Sequence, residues 1–418
     1  MKIKVNNISF KAQVNLPGSK SISNRALMIR AYSGLNIIIN GLSEADDTVM
    51  LERNLEMIAK SNDLSNLLLI DCGNAGTVFR FLLTYLASTS GKWILTGSAR
   101  MKSRPVGDLV NSLRQLGADI QYVDNEGYPP LRIYGKPLKG GKTSVSMEKS
   151  SQFASSILMA GPIWHEGVSL DLTDNLSSLP YLEMTLQMME GFGAIIGRSY
   201  RYVAVLPIQY SETDITIEPD WSAAAFWYEL VALSAGGELL LKNLEFDSLQ
   251  GDRKMKEMFV SLGVESFQEP DGVLIFKTGN VSSKLTFDLT NYPDMLPSLV
   301  ATCCGLGVGA TFSGLENLKY KESDRTAALH QQMMKIGCLF EQQSEGVYQL
   351  RPSKNTLNHT EELISFETYG DHRMAMAFAP LALKLGSVDI EAPEVVEKSY
   401  PDYWKELFST QIIQKINL

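Results

Sequence analysis

Histidine and cysteine are scarce here, with four of each among 418 residues. No two histidines stand at metal-ligand spacing and no C-x-x-C pair occurs, so neither a structural zinc nor any cofactor is expected. Cys72, Cys303, Cys304 and Cys338 lack the spacing of a disulfide framework. With Cys303 and Cys304 adjacent in an apolar run, they read as free core thiols in a reducing compartment. Positive charge is in deficit: 38 Lys and Arg against 47 Asp and Glu leave a net charge of −9. That balance argues against a nucleic-acid coat or a basic membrane patch, and no aromatic-basic face of the RNA-binding kind is visible. Long apolar runs are missing too. The longest charge-free stretch, 295–315, is broken by Pro297 and by Gly305, Gly307, Gly309 and Gly314. It reads as a buried helix followed by a turn and a strand, not as a membrane span.

What is present is a chain long enough for two or three domains, with 44% hydrophobic and 20% charged residues, the balance of a globular protein with ample core. The first residues alternate Ile3, Val5, Ile8 and Phe10 with polar side chains, as a strand does, and lack the apolar core of a signal peptide. A cytoplasmic location is expected. Four segments share one shape: an amphipathic helix, a glycine at the position after its end, then a β-prone run. The glycines are Gly117, Gly193, Gly263 and Gly337, so the unit recurs at about 70–76 residues. That period is long for a solenoid and predicts repeated α/β subdomains. Strand-like runs (67–70, 93–96, 202–206, 238–242, 273–276) lie between the helices, and Glu218-Pro-Asp-Trp221 marks a domain crossing before a helical run over 222–233.

Several motifs start helices with small or charged residues. Leu16-Pro-Gly-Ser-Lys-Ser-Ile-Ser-Asn-Arg25 places Lys20, Ser21 and Arg25 where a helix dipole favours an anion, with Ser21 or Ser23 as the expected N-cap. On its own this stretch reads slightly better as an ordinary helix start that binds nothing. Gly73-Asn-Ala-Gly-Thr77 follows a strand and precedes a helix, and Asn74, Gly76 and Thr77 can offer donors; it is neither a Walker loop nor G-x-G-x-x-G. Arg100-Met-Lys-Ser-Arg-Pro105 sets three cations before Pro105, which suits the first turn of the next helix. Either an anion sits there or the loop is solvated. Ser150-Ser-Gln152 and Ser178-Leu-Pro-Tyr181 open two more helices. Asp294, the segment Asn317 to Arg325 and Asp371-His-Arg373 complete the set, with Lys398 near the C-terminus. Lys321, Glu322 and Arg325 are expected within one helical turn of each other. A surface ion-pair cluster is the bland alternative.

Seven of these segments together resemble the enolpyruvyl transferase family, specifically its 5-enolpyruvylshikimate-3-phosphate synthase (3-phosphoshikimate 1-carboxyvinyltransferase) branch. They are 16–25, 73–77, 100–105, 150–153, 321–325, 371–376 and 398–403, in the family's order and at comparable spacing. The resemblance implies an α/β fold of two similar domains, each of three βαβαββ-type subdomains in an inside-out barrel-like arrangement, with the active site in the cleft between them. It implies a discontinuous first domain, 1–17 plus 220–418, and a second domain, 18–219.

The implied activity is transfer of the enolpyruvyl group of phosphoenolpyruvate to the 5-hydroxyl of shikimate 3-phosphate, releasing phosphate, in aromatic amino acid biosynthesis. The partners are those two substrates; no nucleic acid or membrane is involved, and the chain is expected to be a monomer. By resemblance Lys20, Ser21, Arg25, Ser150, Ser151, Gln152, Ser178, Tyr181, Asp294, Asn317 and Lys321 hold shikimate 3-phosphate. Lys20, Asn74, Gly76, Arg104, Gln152, Arg325, Arg373 and Lys398 hold phosphoenolpyruvate. Asp294 takes the hydroxyl proton and Glu322 delivers one to C3, with Lys20 counted among the catalytic residues. Val78 and Phe81 depart from the smaller residues usual beside the glycine-rich loop. Two alternatives stand beside this reading. One is the sister enzyme acting on UDP-N-acetylglucosamine, whose reactive loop cysteine has no counterpart in 99–106; the other is a non-catalytic ligand sensor on the same scaffold.

Overall fold

The computed structural model describes residues 1–61, 66–353 and 363–416. These divide into two compact units, one of 1–19, 218–319 and 323–418, the other of 20–217 with 320–322. Each is built from one repeated pattern. In the second unit, Leu67–Asp71, helix Gly76–Ser88, Gly91–Thr96, helix Gly107–Gln115, then Asp119–Tyr122 and Leu131–Gly135 form a βαβαββ run. Its first two strands are parallel and its last two form an antiparallel hairpin against them. The same strand order recurs with Gly141–Ser146, Val168–Thr173, Tyr202–Val205 and Ile196–Ser199. A short parallel pair, Ile39–Asn40 with Ile215–Thr216, lies in the same unit.

The first unit carries the pattern three times. Leu285–Asp288, Ala310–Ser313, Val347–Pro352 and Cys338–Ser344 make one sheet. In another, Ser9–Asn15 from the chain start pairs in parallel with Gly236–Lys242. In the third, Lys2–Val5 lies between Ser387–Ile390 and Ile413–Lys415, so the N-terminal strand fills the third place of the last four-stranded sheet. The mixed α/β pattern expected from the sequence is the one found.

The glycine period has a backbone cause. Gly117, Gly193, Gly263 and Gly337 have φ of +91°, +88°, +79° and +79°, the left-handed region that only glycine enters without steric cost. At two of them the amide after the glycine bonds back across the helix end, Ala118 to Leu113 and Ala194 to Met189, which ends the helix and turns the chain into the next strand. The 295–315 run is helix Leu296–Leu306, Gly307 at φ +68° and strand Ala310–Ser313, as its composition suggests.

Three expectations are corrected. The first helix begins at Lys20, so Ser21 and Ser23 lie inside its first turn and cap nothing; the Ser23 hydroxyl accepts from the Ser43 amide instead. Pro105 stands before helix Gly107–Gln115 and not in its first turn. Cys304 and Cys338 are joined as a disulfide, with Cα atoms 6.1 Å apart. The 34-residue separation concealed that the end of one helix meets the first residue of a strand in the same core. Cys72 and Cys303 are buried free thiols.

Helix Trp221–Leu233 is buried at every residue but Ser222, and Glu229 lies in its middle with no hydrogen-bond partner at either carboxyl oxygen. Burial pushes its pKa well above the usual carboxylate value, and the neighbouring Cys303 and Tyr403 are raised further by it. The unfolded chain releases this proton near pH 4.5 while the folded chain keeps it. The stability Glu229 contributes is therefore complete below that pH and falls as pH rises towards the folded value, by up to about 1.4 kcal/mol per pH unit. Denaturant unfolding of Glu229→Gln should show a stability advantage over the parent that widens from pH 5 to pH 8. Parallel pH profiles would refute the assignment.

Candidate functional site

The candidate residues fall into two sets, one in each unit. In the unit of 20–217 and 320–322, Lys20 opens the first helix and its ammonium lies 3.1 Å from the Asp47 carboxylate, both side chains being largely buried. Arg25, one turn on, is fully enclosed. It donates to the Thr185 hydroxyl at 2.7 Å and to the carbonyls of Ser21 and Tyr181, and its guanidinium lies over the Phe81 ring. Burial lowers its pKa to about 10, which leaves it a cation at neutral pH. Phe81, with Val78, is wholly buried, so the two larger residues of this helix fill core. Ser178 precedes helix Leu179–Gly191 in a left-handed conformation at φ +56°, and its carbonyl accepts from the Tyr181 amide.

The glycine-rich loop and the serine-rich helix start are joined by side chains. The Gln152 amide nitrogen donates to the Thr77 hydroxyl at 2.8 Å, and its oxygen accepts from Arg80 at 2.6 Å. Arg80 also donates to Ser150 at 3.2 Å and lies over the Phe153 ring. Burial first, and the neighbouring Arg104 second, lower the Arg80 pKa to about 9. Ser151, at the N-cap position of helix Gln152–Ala160, makes no capping bond. Gly76 begins helix Gly76–Ser88, and a Cβ there would stand 2.6 Å from both terminal nitrogens of Arg104, so the position has no room for a side chain. Arg104 is pressed against the loop, donates to the carbonyls of Asn74 and Tyr320, and lies 3.8 Å from the Glu322 carboxylate. Arg100 donates twice to the Lys321 carbonyl, at 3.1 and 2.8 Å. The cation-rich turn thus holds the 320–322 segment by its backbone, which neither a bound anion nor a solvated loop anticipated.

The other unit holds a tight charge cluster. The Asp294 carboxylate accepts from Arg325 at 2.8 Å on one oxygen and from Arg373 at 3.0 Å on the other. Arg325 begins helix Arg325–Met334 and donates its Nε to Asp371 at 2.9 Å, with 1% of its side chain exposed. Asp371 caps helix His372–Phe378 by accepting from the Arg373 amide and also accepts from Ser323. The mutual pairing offsets the cost of burying these charges. Asn317 and Lys398 belong to the same unit and are both more than nine-tenths buried. Arg325 belongs to this unit, whereas Lys321 and Glu322 precede the helix and belong to the other, so the three do not share a helical turn.

Four residues that the sequence reading left unassigned hold this machinery in place: Asp47, Arg80, Arg100 and Asp371. Arg80 had a signal, as an arginine between two phenylalanines in an apolar helix. Asp47 and Asp371 resemble ordinary helix-start carboxylates, and nothing local distinguishes them.

The sequence matches the model of the EPSP synthase (3-phosphoshikimate 1-carboxyvinyltransferase) family over residues 6–407. A 3-phosphoshikimate 1-carboxyvinyltransferase of Bacteroides fragilis strain YCH46 is 41% identical over 398 residues, covering 95% of this chain and 94% of the relative. One from Methanosphaerula palustris is 34% identical over 412 residues, covering 94% and 95%. An EPSP synthase structure from Acinetobacter baumannii superposes with a TM-score of 0.73 at 20% identity, over 99% of this chain and all of that one, which establishes likeness of fold. With a family model spanning nearly the whole chain and relatives above 30% identity at full length, this chain belongs to the EPSP synthase family.

Proposed function

We infer that the chain carries out the reaction of its family. It transfers the enolpyruvyl group of phosphoenolpyruvate to the 5-hydroxyl of shikimate 3-phosphate and releases phosphate, in the pathway to the aromatic amino acids. The observation that carries the residue assignment is that each unit offers a carboxylate set against arginine: Asp294 between Arg325 and Arg373, and Glu322 beside Arg104.

The hydroxyl adds to C2 of the enol as C3 gains a proton; C3 then returns that proton as the C2–O bond to phosphate breaks. One group must take the hydroxyl proton and another must serve C3. Asp294 is assigned the first task and Glu322 the second. An anionic ligand that draws Arg325 or Arg373 away from the Asp294 oxygens leaves the carboxylate a better proton acceptor. Arg325 and Arg373 are the cations such a ligand would engage, with Arg104, Lys20, Asn74, Gly76, Gln152 and Lys398 completing the phosphoenolpyruvate set. Ser21, Arg25, Ser150, Ser151, Ser178, Tyr181, Asn317 and Lys321, with Lys20, Gln152 and Asp294, are assigned to shikimate 3-phosphate. Arg25 has an Nη hydrogen beyond those its protein partners use, so it can serve as both scaffold and ligand. Two multiply charged substrates do not cross a bilayer unaided, which favours the cytoplasm. A single chain supplies both carboxylates and all the cations, which favours a monomer.

Phosphate release from purified protein should require both substrates, with no release when UDP-N-acetylglucosamine replaces shikimate 3-phosphate. Asp294→Asn and Glu322→Gln should each lower kcat by about a hundredfold or more while retaining substrate binding by calorimetry. Turnover within a few-fold of the parent in either variant would remove that residue from its role. Gly76→Ala forces Arg104 off the loop, so KM for phosphoenolpyruvate should rise by roughly tenfold, the worth of one charged hydrogen bond, with KM for shikimate 3-phosphate nearly unchanged. An unaltered KM for phosphoenolpyruvate would show that Arg104 does not bind it.

A further inference from the structure

A cavity of about 540 Å³ opens between helix Asp46–Ala59 and strand Leu67–Asp71, and none of the candidate ligands lines it. Its helix wall repeats at helical spacing, with Val49, Met50, Arg53 and Met57 on one face. Leu69 and Asp71 form the strand wall. Val49 and Leu69 are 54% and 59% exposed, a large apolar surface for a place where the adjoining strand is a sheet edge. The charges have a pattern as well. Arg53 has no ion-pair partner among the described residues, and Asp46 and Asp71 contribute carboxylates to the same lining.

One cation, two carboxylates and four apolar side chains around a small-molecule volume match one ligand chemistry. We propose that this cavity is a binding site for a small amphipathic zwitterion, an α-amino acid with a large apolar side chain. The ligand carboxylate meets Arg53, its ammonium meets Asp71, and its apolar body covers Met50, Met57, Val49 and Leu69. The site also touches the glycine-rich loop. Gly73 is part of the lining, and a Cβ built on it would lie 3.1 Å from the Met50 Cε. The Asp71 carboxylate accepts from the Gly73 amide at 2.8 Å. Gly73 leads directly into Asn74 and Gly76, against which Arg104 rests. A ligand that shifts Met50 or Asp71 therefore alters the loop that positions Arg104.

The test is isothermal titration of the full chain with L-phenylalanine and L-leucine. The controls are hydrocinnamate, which lacks the ammonium, phenethylamine, which lacks the carboxylate, and glycine, which lacks the apolar body. Saturable binding of an amino acid is expected, weaker by roughly tenfold or more for each control and in Arg53→Ala and Asp71→Asn. Arg53 is exposed, and asparagine retains an oxygen for the Gly73 amide, so both variants should fold. No heat from either amino acid, equal binding of the controls, or unchanged binding in both variants would overturn the site. Saturating amino acid should also change KM for phosphoenolpyruvate at least twofold in the parent but not in Arg53→Ala. An unchanged KM overturns the link to the loop. That last arm rests on the reaction inferred above, whereas the titration does not, so the two failures are separable.

Discussion

A helix that is apolar on every side is stable in water only if something covers every side, and this constraint organises the unit that carries Asp294. Helix Trp221–Leu233 is buried at all but one residue, and helix Leu296–Leu306 is buried along its first ten. Neither has a face to offer solvent, so sheets must lie outside them. The βαβαββ run meets this demand. Its hairpin widens each sheet enough to cover a helix, and a left-handed glycine lies in or just past the short link, one to four residues long, from helix to hairpin. Helix starts are then the places where polar groups gather, since four backbone amides there need partners. Most of the candidate residues stand at such starts.

The charge clusters follow from the same enclosure. Arg325 and Asp371 are removed from water almost completely, which is tolerable because each is bonded on more than one side. Enclosure of this kind fixes position: the Asp294 oxygens are held by two guanidinium planes that are themselves anchored at helix starts. In the other unit Arg104 is held by backbone carbonyls and by the absence of a side chain at Gly76. The two arrangements achieve the same end, a cation kept in place before any ligand arrives.

Much of this was readable in advance. The glycine period betrayed the repeat because the left-handed turn imposes one residue type at one place. The motifs identified the family because seven weak signals in a fixed order are jointly specific. Helix onsets were legible to within a residue or two where aspartate caps them, as at Asp220, Asp324 and Asp371, and were missed at Lys20, where Ser19, Ser21 and Ser23 are equally good caps by residue type and the buried Ser19 hydroxyl makes no bond. The Cys304–Cys338 link, the Lys20–Asp47 pair and the attachment of 320–322 by Arg100 and Arg104 join residues from 27 to 221 positions apart. Pairings at such distances leave no local trace in composition or spacing.

The chain leaves the first unit after Ser19 and re-enters it at Glu218, and the two passages are fastened side by side. The Ser19 amide donates to the Glu218 carbonyl and the Asp220 amide to the Pro17 carbonyl, both at 2.9 Å. An insertion of about 200 residues thus begins and ends at one clasp, which carries a consequence for synthesis on the ribosome. Strand Ser9–Asn15 is made before its partner Gly236–Lys242, which follows more than 200 residues later, a delay of roughly 10–45 s at ordinary elongation rates. During that interval the inserted unit is almost complete and free to fold, while the opening strands wait with an unpaired edge. The order of translation therefore makes the inserted unit the natural first product, and the unit that opens the chain the last to close.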